Sequence, residues 1–291
     1  MQLGALIMGN LYVLIGFDVE HDVEPFSDTY EGIKKGIPSI LNVLDELDIH
    51  STFNILANII DDNFDVLTQI KTRGHEIGCH SYDHEALAFL SDEEIHWRVE
   101  KATQMIQKKF GERPITFRSP YLLSNTFLIK TLEKYHYLLD SSYLISHHKI
   151  QVLPYHPSEN DWTSKGGLNL LELPVSSDPF INDPEKSDLW PWWRVIGAKD
   201  TKHKINNLIK KQEEYGKTNV IIFYLHPWEF IDLEKTGVDL PDEQKKRISG
   251  GTGEKAIENF RDILVWLKKQ KNASFMTMKA FRTIWDEINE K

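Results

Sequence analysis

Short apolar strands alternate with amphipathic helices along most of this chain, and that alternation limits the fold more than any other feature. Leu11–Phe17 is an almost uninterrupted apolar run, as expected of a strand buried on both faces. Tyr30–Leu47 follows with Ile33, Ile37, Ile40, Leu41, Leu44 and Leu47 at helical spacing. The pattern repeats with strands at Ser51–Leu56, Glu76–His80, Ile115–Arg118 and Tyr137–Asp140, and helices at Asp62–Thr72, Ser91–Phe110 and Asn125–Tyr135. Ser91 and Glu94 form a capping-box signature, and Gly111 supplies the stop. A strand at Asn169–Leu173, a helix at Thr201–Tyr215, a strand at Asn219–Leu225, a helix at Glu254–Lys269 and a strand at Ser274–Met278 complete the series. Strands joined through helices pair in parallel by right-handed crossovers. Seven or eight such units predict an α/β fold, an irregular (β/α) barrel of about seven parallel strands.

The one irregular stretch is 144–200, which holds Pro154, Pro157, Pro174, Pro179, Pro184 and Pro191 with Trp190, Trp192 and Trp193. A long loop inside a folded domain is usually functional. No linker divides the chain, so residues 1–291 are expected to form a single catalytic domain. A formal charge of −10 argues against nucleic acid and anionic membrane as partners. Cys79 is the only cysteine, which excludes an intramolecular disulfide. The opening MQLGALI lacks a basic leader region and does not read as a signal peptide, and no apolar run reaches the length of a membrane span. A cytoplasmic protein is the expectation.

Titratable groups gather where strands end, and in a parallel barrel those C-terminal ends share one rim. The first strand runs into Asp18-Val19-Glu20-His21-Asp22. In extended chain the three acids point to one side. The third strand runs into His80-Ser81-Tyr82-Asp83-His84, where a helical turn would face both imidazoles the same way. One of the carboxylates with the two histidines would make a two-His, one-carboxylate set, the pattern of a catalytic metal site. A second carboxylate would remain as a base. Acids after strands also cap the turns that follow them, which is the plain alternative. Arg118 is placed to orient a carboxylate through a bidentate pair. His226, at the end of a very apolar strand, is placed to protonate a leaving amine. Asp83 is positioned either to orient His84 or to face solvent, and Cys79 is expected to be a small buried residue without a catalytic role.

The order of these motifs resembles the polysaccharide deacetylases of the NodB homology group, carbohydrate esterase family 4, from about Leu11 to Phe281. Asp18-Val19-Glu20 replaces the family's usual adjacent aspartates and is similar to a branch whose first motif is Asp-Val-Glu. That branch also carries the equivalents of Arg118-Ser119-Pro120, Asp140-Ser141-Ser142 and His226-Pro227-Trp228-Glu229. The resemblance implies a NodB-like barrel that removes N-acetyl groups from an amino-sugar-containing glycan. It implies Asp18 as the base that activates water, and Glu20, His80 and His84 as ligands of a divalent metal, usually zinc. It further implies that Arg118 tunes Asp18, that His226 protonates the departing amine, and that a backbone N–H near Tyr121 stabilises the oxyanion.

The tryptophans are expected either to stack on sugar or to pack in the core, and Tyr121, Trp192, Trp193 and Trp228 are taken as substrate contacts. His147, His148 and His156 are expected in surface loops. Two other functions fit the same residues. One is a deformylase, deacetylase or other small-molecule C–N hydrolase acting on a lipid- or nucleotide-linked sugar. The segment from Asp18 through Glu31–Pro38 is similar to deformylases of lipid-linked aminoarabinose. The other is a non-catalytic sugar-binding protein, for which a complete set of base, ligands and acid has no purpose.

Overall fold

Eight parallel strands form one curled sheet in the computed structural model, which describes residues 11–289. The apolar opening stretch lies outside the described residues. The strands are β1 (Leu11–Val19), β2 (Thr52–Ile55), β3 (Glu76–Cys79), β4 (Thr116–Phe117), β5 (Leu139–Asp140), β6 (Leu171–Glu172), β7 (Asn219–Leu225) and β8 (Ala273–Met276). Their order is β6-β5-β4-β3-β2-β1-β7, with β8 also on β1. β1 pairs with β7 over Leu11–Phe17 on one edge. Its other edge is shared, with β8 on Leu11–Leu14 and β2 on Gly16–Val19. The seam between the β6 and β7 ends is narrowed by Ser176. Its N–H donates to the Ile222 carbonyl at 3.1 Å, and its Oγ accepts the Ile222 N–H at 2.9 Å. The result is the expected irregular barrel.

β1 looks uniformly apolar because both its faces are buried, yet the two faces differ. Leu11, Val13, Ile15, Phe17 and Val19 belong to the large core beneath the surrounding helices. Tyr12 and Leu14 point into the barrel, where they meet Leu139, Leu171, Val220 and Ile222. Phe281 and Trp285 of the last helix, Met278–Asn289, close the bottom of that interior. The next inward positions of β1 are Gly16 and then Asp18, so the interior changes from apolar to polar towards the mouth. Burial of this apolar surface is the main term that stabilises the barrel.

The helix expected at Ser91–Phe110 has Ser91 accepting the Glu94 N–H, the reciprocal Glu94 contact and Gly111 at φ 73°. The helix expected over Tyr30–Leu47 is less regular. It opens with a wide turn at Gly32–Gly36 before Ile37–Glu46. Gly32 allows that turn to press on the loop after β7, because a Cβ there would lie 2.5 Å from the Trp228 nitrogen. Residues 144–197 are loop with three one-turn helices and the short strand β6, and among the described residues no helix is long and apolar enough to cross a membrane.

Just before β3, His75 is 4% exposed and its Nδ1 accepts the Ser51 N–H at 3.1 Å. Burial, reinforced by His50, lowers it from 6.5 to about 4. The unfolded chain therefore binds a proton that the fold excludes, and stability is lost as pH falls from about 6.5 towards 4. Urea unfolding at pH 7.5 and pH 5 is expected to show the native protein losing roughly 1–2 kcal/mol more than His75→Gln. Equal losses would remove His75 as the cause.

Candidate metal and catalytic site

The acidic run after β1 is split between two tasks because the strand stops at Val19. Asp18 and Glu20 turn into the barrel mouth, 1% and 6% exposed. Asp22 does not join them. Its carboxylate accepts the N–H groups of Glu31 and Gly32 at 2.6 and 2.8 Å and the Thr29 hydroxyl at 2.7 Å, so it caps the wide turn. The capping role holds for this one acid of the three.

Glu20 lies between the two histidines. Its Oε2 is 3.3 Å from His80 Nε2 and 2.8 Å from His84 Nε2. One ligand atom from each of Glu20, His80 and His84 falls within 4.8 Å of the others. The imidazoles do converge, but no helix brings them together. Ser81 sits at φ 74°, and the loop is pinned by bonds from the Ala57 and Asn58 N–H groups to the Ser81 and Tyr82 carbonyls. His80 Nδ1 donates to the Arg118 carbonyl at 2.7 Å, which turns Nε2 to the cluster, the nitrogen through which a neutral imidazole would bind a metal. Burial raises the Glu20 carboxyl, but His84, His226 and His80 outweigh it and hold it well below the usual carboxylate range. Glu20 Oε2 and His84 Nδ1 are buried in ion-pair contacts without a well-aligned hydrogen bond. A carboxylate and two imidazoles whose ligand atoms converge fit a divalent cation. Asp83 is paired with Arg98 at 2.7 Å and does not orient His84. Glu24 stands there instead, its Oε2 3.4 Å from His84 Nδ1.

Asp18 is held on one oxygen only. Oδ1 accepts from Arg118 at 3.1 Å and from Asn54 at 3.0 Å, while Oδ2 faces His80 Nε2 at 3.8 Å. The sheet register makes this possible, since Asp18 is level with Asn54. Arg118 is fully buried. Its remaining donors reach the Ser141 carbonyl and hydroxyl at 2.9 Å and the Gly16 and Phe223 carbonyls at 3.4 and 3.5 Å. Asp140 points the other way, towards Glu172, and both buried carboxyls are pushed up.

His226 is oriented from behind. Its Nδ1 and backbone N–H both approach Glu229 Oε1, at 3.2 and 2.8 Å. Glu229 is fixed by Arg194 at 2.6 Å and by the Trp193 indole N–H at 3.1 Å. His226 Nε2 then faces the Tyr224 hydroxyl at 3.0 Å and Glu20 Oε1 at 3.7 Å. Burial alone would lower His226, but Glu20, Glu229 and Asp18 overcome it and raise it above the ordinary imidazole value.

These contacts correct part of the expected substrate surface. Trp193 is buried and serves Glu229. Trp228 is buried beneath His226, stacked at 4.9 Å and 22°, with Arg194 on it at 5.4 Å. Trp192 is half-buried and tied to the Glu185 carbonyl. None of the three lines the cleft beside the site, which has a volume of about 450 Å³. Tyr121 does line it, and its ring lies 4.3 Å from that of His84 on a left-handed backbone (φ 58°). Trp190 and His147 line it too. Asn54, Tyr224 and Glu24 carry no motif of their own in the sequence. Asn54 leaves one trace, an amide side chain within a wholly buried strand.

Residues 21–139 match the family model for polysaccharide deacetylase. The segment includes His80, His84, Arg118 and Tyr121, while Asp18, Glu20 and His226 lie outside it. A stretch of 84 residues, 29% of this chain, is 29% identical to peptidoglycan-N-acetylglucosamine deacetylase PgdA of Listeria monocytogenes. A stretch of the same length is 31% identical to chitin deacetylase 1 of Cryptococcus neoformans. Each alignment spans 18% of the relative's own length. Among solved structures, a Mycobacterium smegmatis protein described provisionally as a polysaccharide deacetylase superposes with a TM-score of 0.70 at 18% identity, covering 97% of this chain and 92% of that one. PuuE allantoinase superposes with a TM-score of 0.67 at 13% identity, covering 98% and 93%. The family match covers less than half of the chain, and the likeness to the solved structures extends the shared fold to nearly all of it.

Gly16 is the space in which the guanidinium lies. A Cβ there would stand 2.7 Å from both terminal nitrogens of Arg118 and 2.8 Å from Met278 Cε. Gly16→Ala is expected to lower stability by about 1–3 kcal/mol, as overpacked cores do, and to displace Arg118 from Asp18. Urea denaturation checks the first effect and turnover of the folded protein the second. Full stability together with full activity would refute the packing argument.

Proposed function

We propose that this chain is a metal-dependent hydrolase that removes N-acetyl groups from an amino-sugar-containing glycan. The observation that carries the proposal is the Glu20, His80 and His84 cluster, with its ligand atoms within 4.8 Å, set beside a carboxylate held on one oxygen. Glu20, His80 and His84 would hold the metal, for which zinc is the proposed identity. When bound, it supplies positive charge that polarises an amide carbonyl and acidifies water.

The chain's own groups divide the remaining work. Asp18 accepts a proton from the attacking water through Oδ2, the oxygen that Arg118 and Asn54 leave free. Water oxygen bonds to the acetyl carbon, and the Tyr121 backbone N–H is proposed to stabilise the oxyanion. His226 donates a proton to the nitrogen as the C–N bond breaks, which leaves acetate and a free amine. Glu229 keeps His226 in the tautomer and orientation for that transfer. The proposed base lies beside His80 at 3.8 Å and the proposed acid beside Glu20 at 3.7 Å, whereas a sugar-binding protein has no use for either. The catalytic unit is proposed to be the whole chain, with its core at about 11–281. A cytoplasmic location belongs to the same proposal, in keeping with a lone cysteine, Cys79, that is buried and pushed up to about 12 by that burial.

Elemental analysis and acetate release from N-acetylated amino sugars test this. His80→Ala and His84→Ala are each expected to lose bound metal. Asp18→Asn is expected to keep the metal and to lose turnover by roughly 10²–10⁴-fold. Native protein with neither metal nor acetate release would end the proposal, and an active Asp18→Asn would end the assignment of the base.

A further inference from the structure

The Asp140-Ser141-Ser142 motif ends β5, and only Ser141 has a part so far, as a partner of Arg118. Asp140 is level with Glu172 of β6 across the sheet, and both are fully buried. Glu172 Oε1 accepts the N–H groups of Ser142 and Tyr143 at 3.1 and 2.9 Å. Asp140 Oδ1 accepts the Ser142 hydroxyl at 2.8 Å. The second oxygens, Asp140 Oδ2 and Glu172 Oε2, find no donor in the rest of the chain, and the two carboxyls lie in hydrogen-bonding contact with each other. The polar groups around them are committed elsewhere. Arg118, the cation that acts on Asp140, spends its donors on Asp18, Ser141, Gly16 and Phe223. The Tyr155 hydroxyl donates to the Trp162 carbonyl at 2.8 Å, and the Tyr143 hydroxyl accepts the N–H groups of Ile150 and Gln151 at 3.2 and 3.0 Å. Two carboxylates side by side out of water cannot both stay ionised. One proton held between Oδ2 and Oε2 removes the repulsion and gives both orphaned oxygens a partner. Burial raises both groups, and burial with Asp140 alongside holds Glu172 well above the usual carboxylate range.

Ser142 links this pair to the neighbouring loop. Its hydroxyl donates to Asp140, so its lone pairs are free to accept, and they take the Ser119 N–H at 2.9 Å. Ser119 is buried, so this acceptor stands in for water. Ser119 opens the turn Ser119–Leu123, which is closed by the Ser119 hydroxyl on the Leu123 carbonyl at 2.6 Å and by the Leu122 N–H on the Ser119 carbonyl at 3.0 Å. Inside the turn Tyr121 and Leu122 stand at φ 58° and 56°. Side chains other than glycine hold that conformation only where the surroundings fix it. Two in succession make this turn dependent on its anchor at Ser119. The turn carries the Tyr121 N–H, proposed above as the oxyanion donor, and the Tyr121 ring, 4.3 Å from that of His84.

We propose that Asp140 and Glu172 share one proton, and that this pair acts through Ser142 to set the Ser119–Leu123 turn and with it the Tyr121 N–H. Asp140, Glu172 and Ser142 are then positioning residues, and the part the turn plays rests on the hydrolase reading above. Amide variants of the full chain test the proton. In Asp140→Asn the side-chain oxygen stays on Ser142 and the NH₂ donates to Glu172. In Glu172→Gln the oxygen stays on the Ser142 and Tyr143 N–H groups and the NH₂ donates to Asp140. Each single variant is expected to keep a urea midpoint close to the native one. In the double variant two NH₂ groups face each other without an acceptor, so its midpoint is expected to fall by far more than the two single shifts together. Infrared spectra at neutral pH are expected to lose one protonated-carboxyl band in either single variant. Additive shifts, or an unchanged carboxyl band in both single variants, would overturn the shared proton. Ser142→Ala tests the link to the turn, with kcat for acetate release expected to fall roughly 10–100-fold while KM and bound zinc stay unchanged. Ser142→Cys, nearly the same size but a poor acceptor, is expected to show the same split and serves if the alanine variant does not fold. Native kcat in either folded variant, or a loss of bound zinc that accounts for the lower rate, would overturn the positioning role. Zinc-loaded native protein that releases no acetate would overturn the hydrolase and the role of the turn together, while the midpoints and the carboxyl band still decide the shared proton.

Discussion

A guanidinium with no solvent contact holds the centre of this molecule. Arg118 lies in the barrel between the apolar floor and the polar mouth, and removing such a charge from water costs several kcal/mol unless every donor is matched. The match is assembled from distant parts of the chain. Asp18 and the Gly16 carbonyl come from β1, the Ser141 carbonyl and hydroxyl from the end of β5, and the Phe223 carbonyl from β7. Three strands must therefore be in register before the charge is satisfied. The same contact binds one of the two Asp18 oxygens, so the residue that secures the barrel also aims the carboxylate.

Other functional groups are fixed by the same kind of support. The Arg118 carbonyl sets the His80 tautomer, and Glu229, itself clamped by Arg194 and Trp193, orients His226. Gly32 brings the first wide turn against the loop that holds Trp228 under His226. The long loop supplies Trp190 and Asp188 to the cleft. The polar half of the mouth thus follows the early strands, and the more apolar half draws mainly on the late ones.

The fold was legible because period and composition report local choices. Strand and helix positions, the Ser91 cap and the Gly111 stop all follow from neighbours in sequence. Positions at strand ends were legible for the same reason, since a parallel barrel brings those ends together whatever the loops do. What stayed hidden depends on contacts between remote residues. Asp22 looked equivalent to Asp18 and Glu20, but β1 ends before it and the N–H groups of a later turn claim it. Trp192 and Trp193 looked equivalent to Trp190, and the one-turn helix at Trp192–Val195 sends Trp193 inward to Glu229. The partnership of Asn54 with Asp18 requires the register of β1 on β2, which no local pattern records.

Glu20, His80 and His84 are proposed to form one metal site with Asp18 outside it. Anomalous scattering from crystals of zinc-loaded protein, measured on both sides of the zinc edge, tests it directly. One strong peak is expected at roughly 2.0–2.2 Å from a Glu20 oxygen and from Nε2 of His80 and His84, with Asp18 still on Arg118 and Asn54. A peak bound to Asp18 in place of Glu20, or none at this cluster, would contradict it.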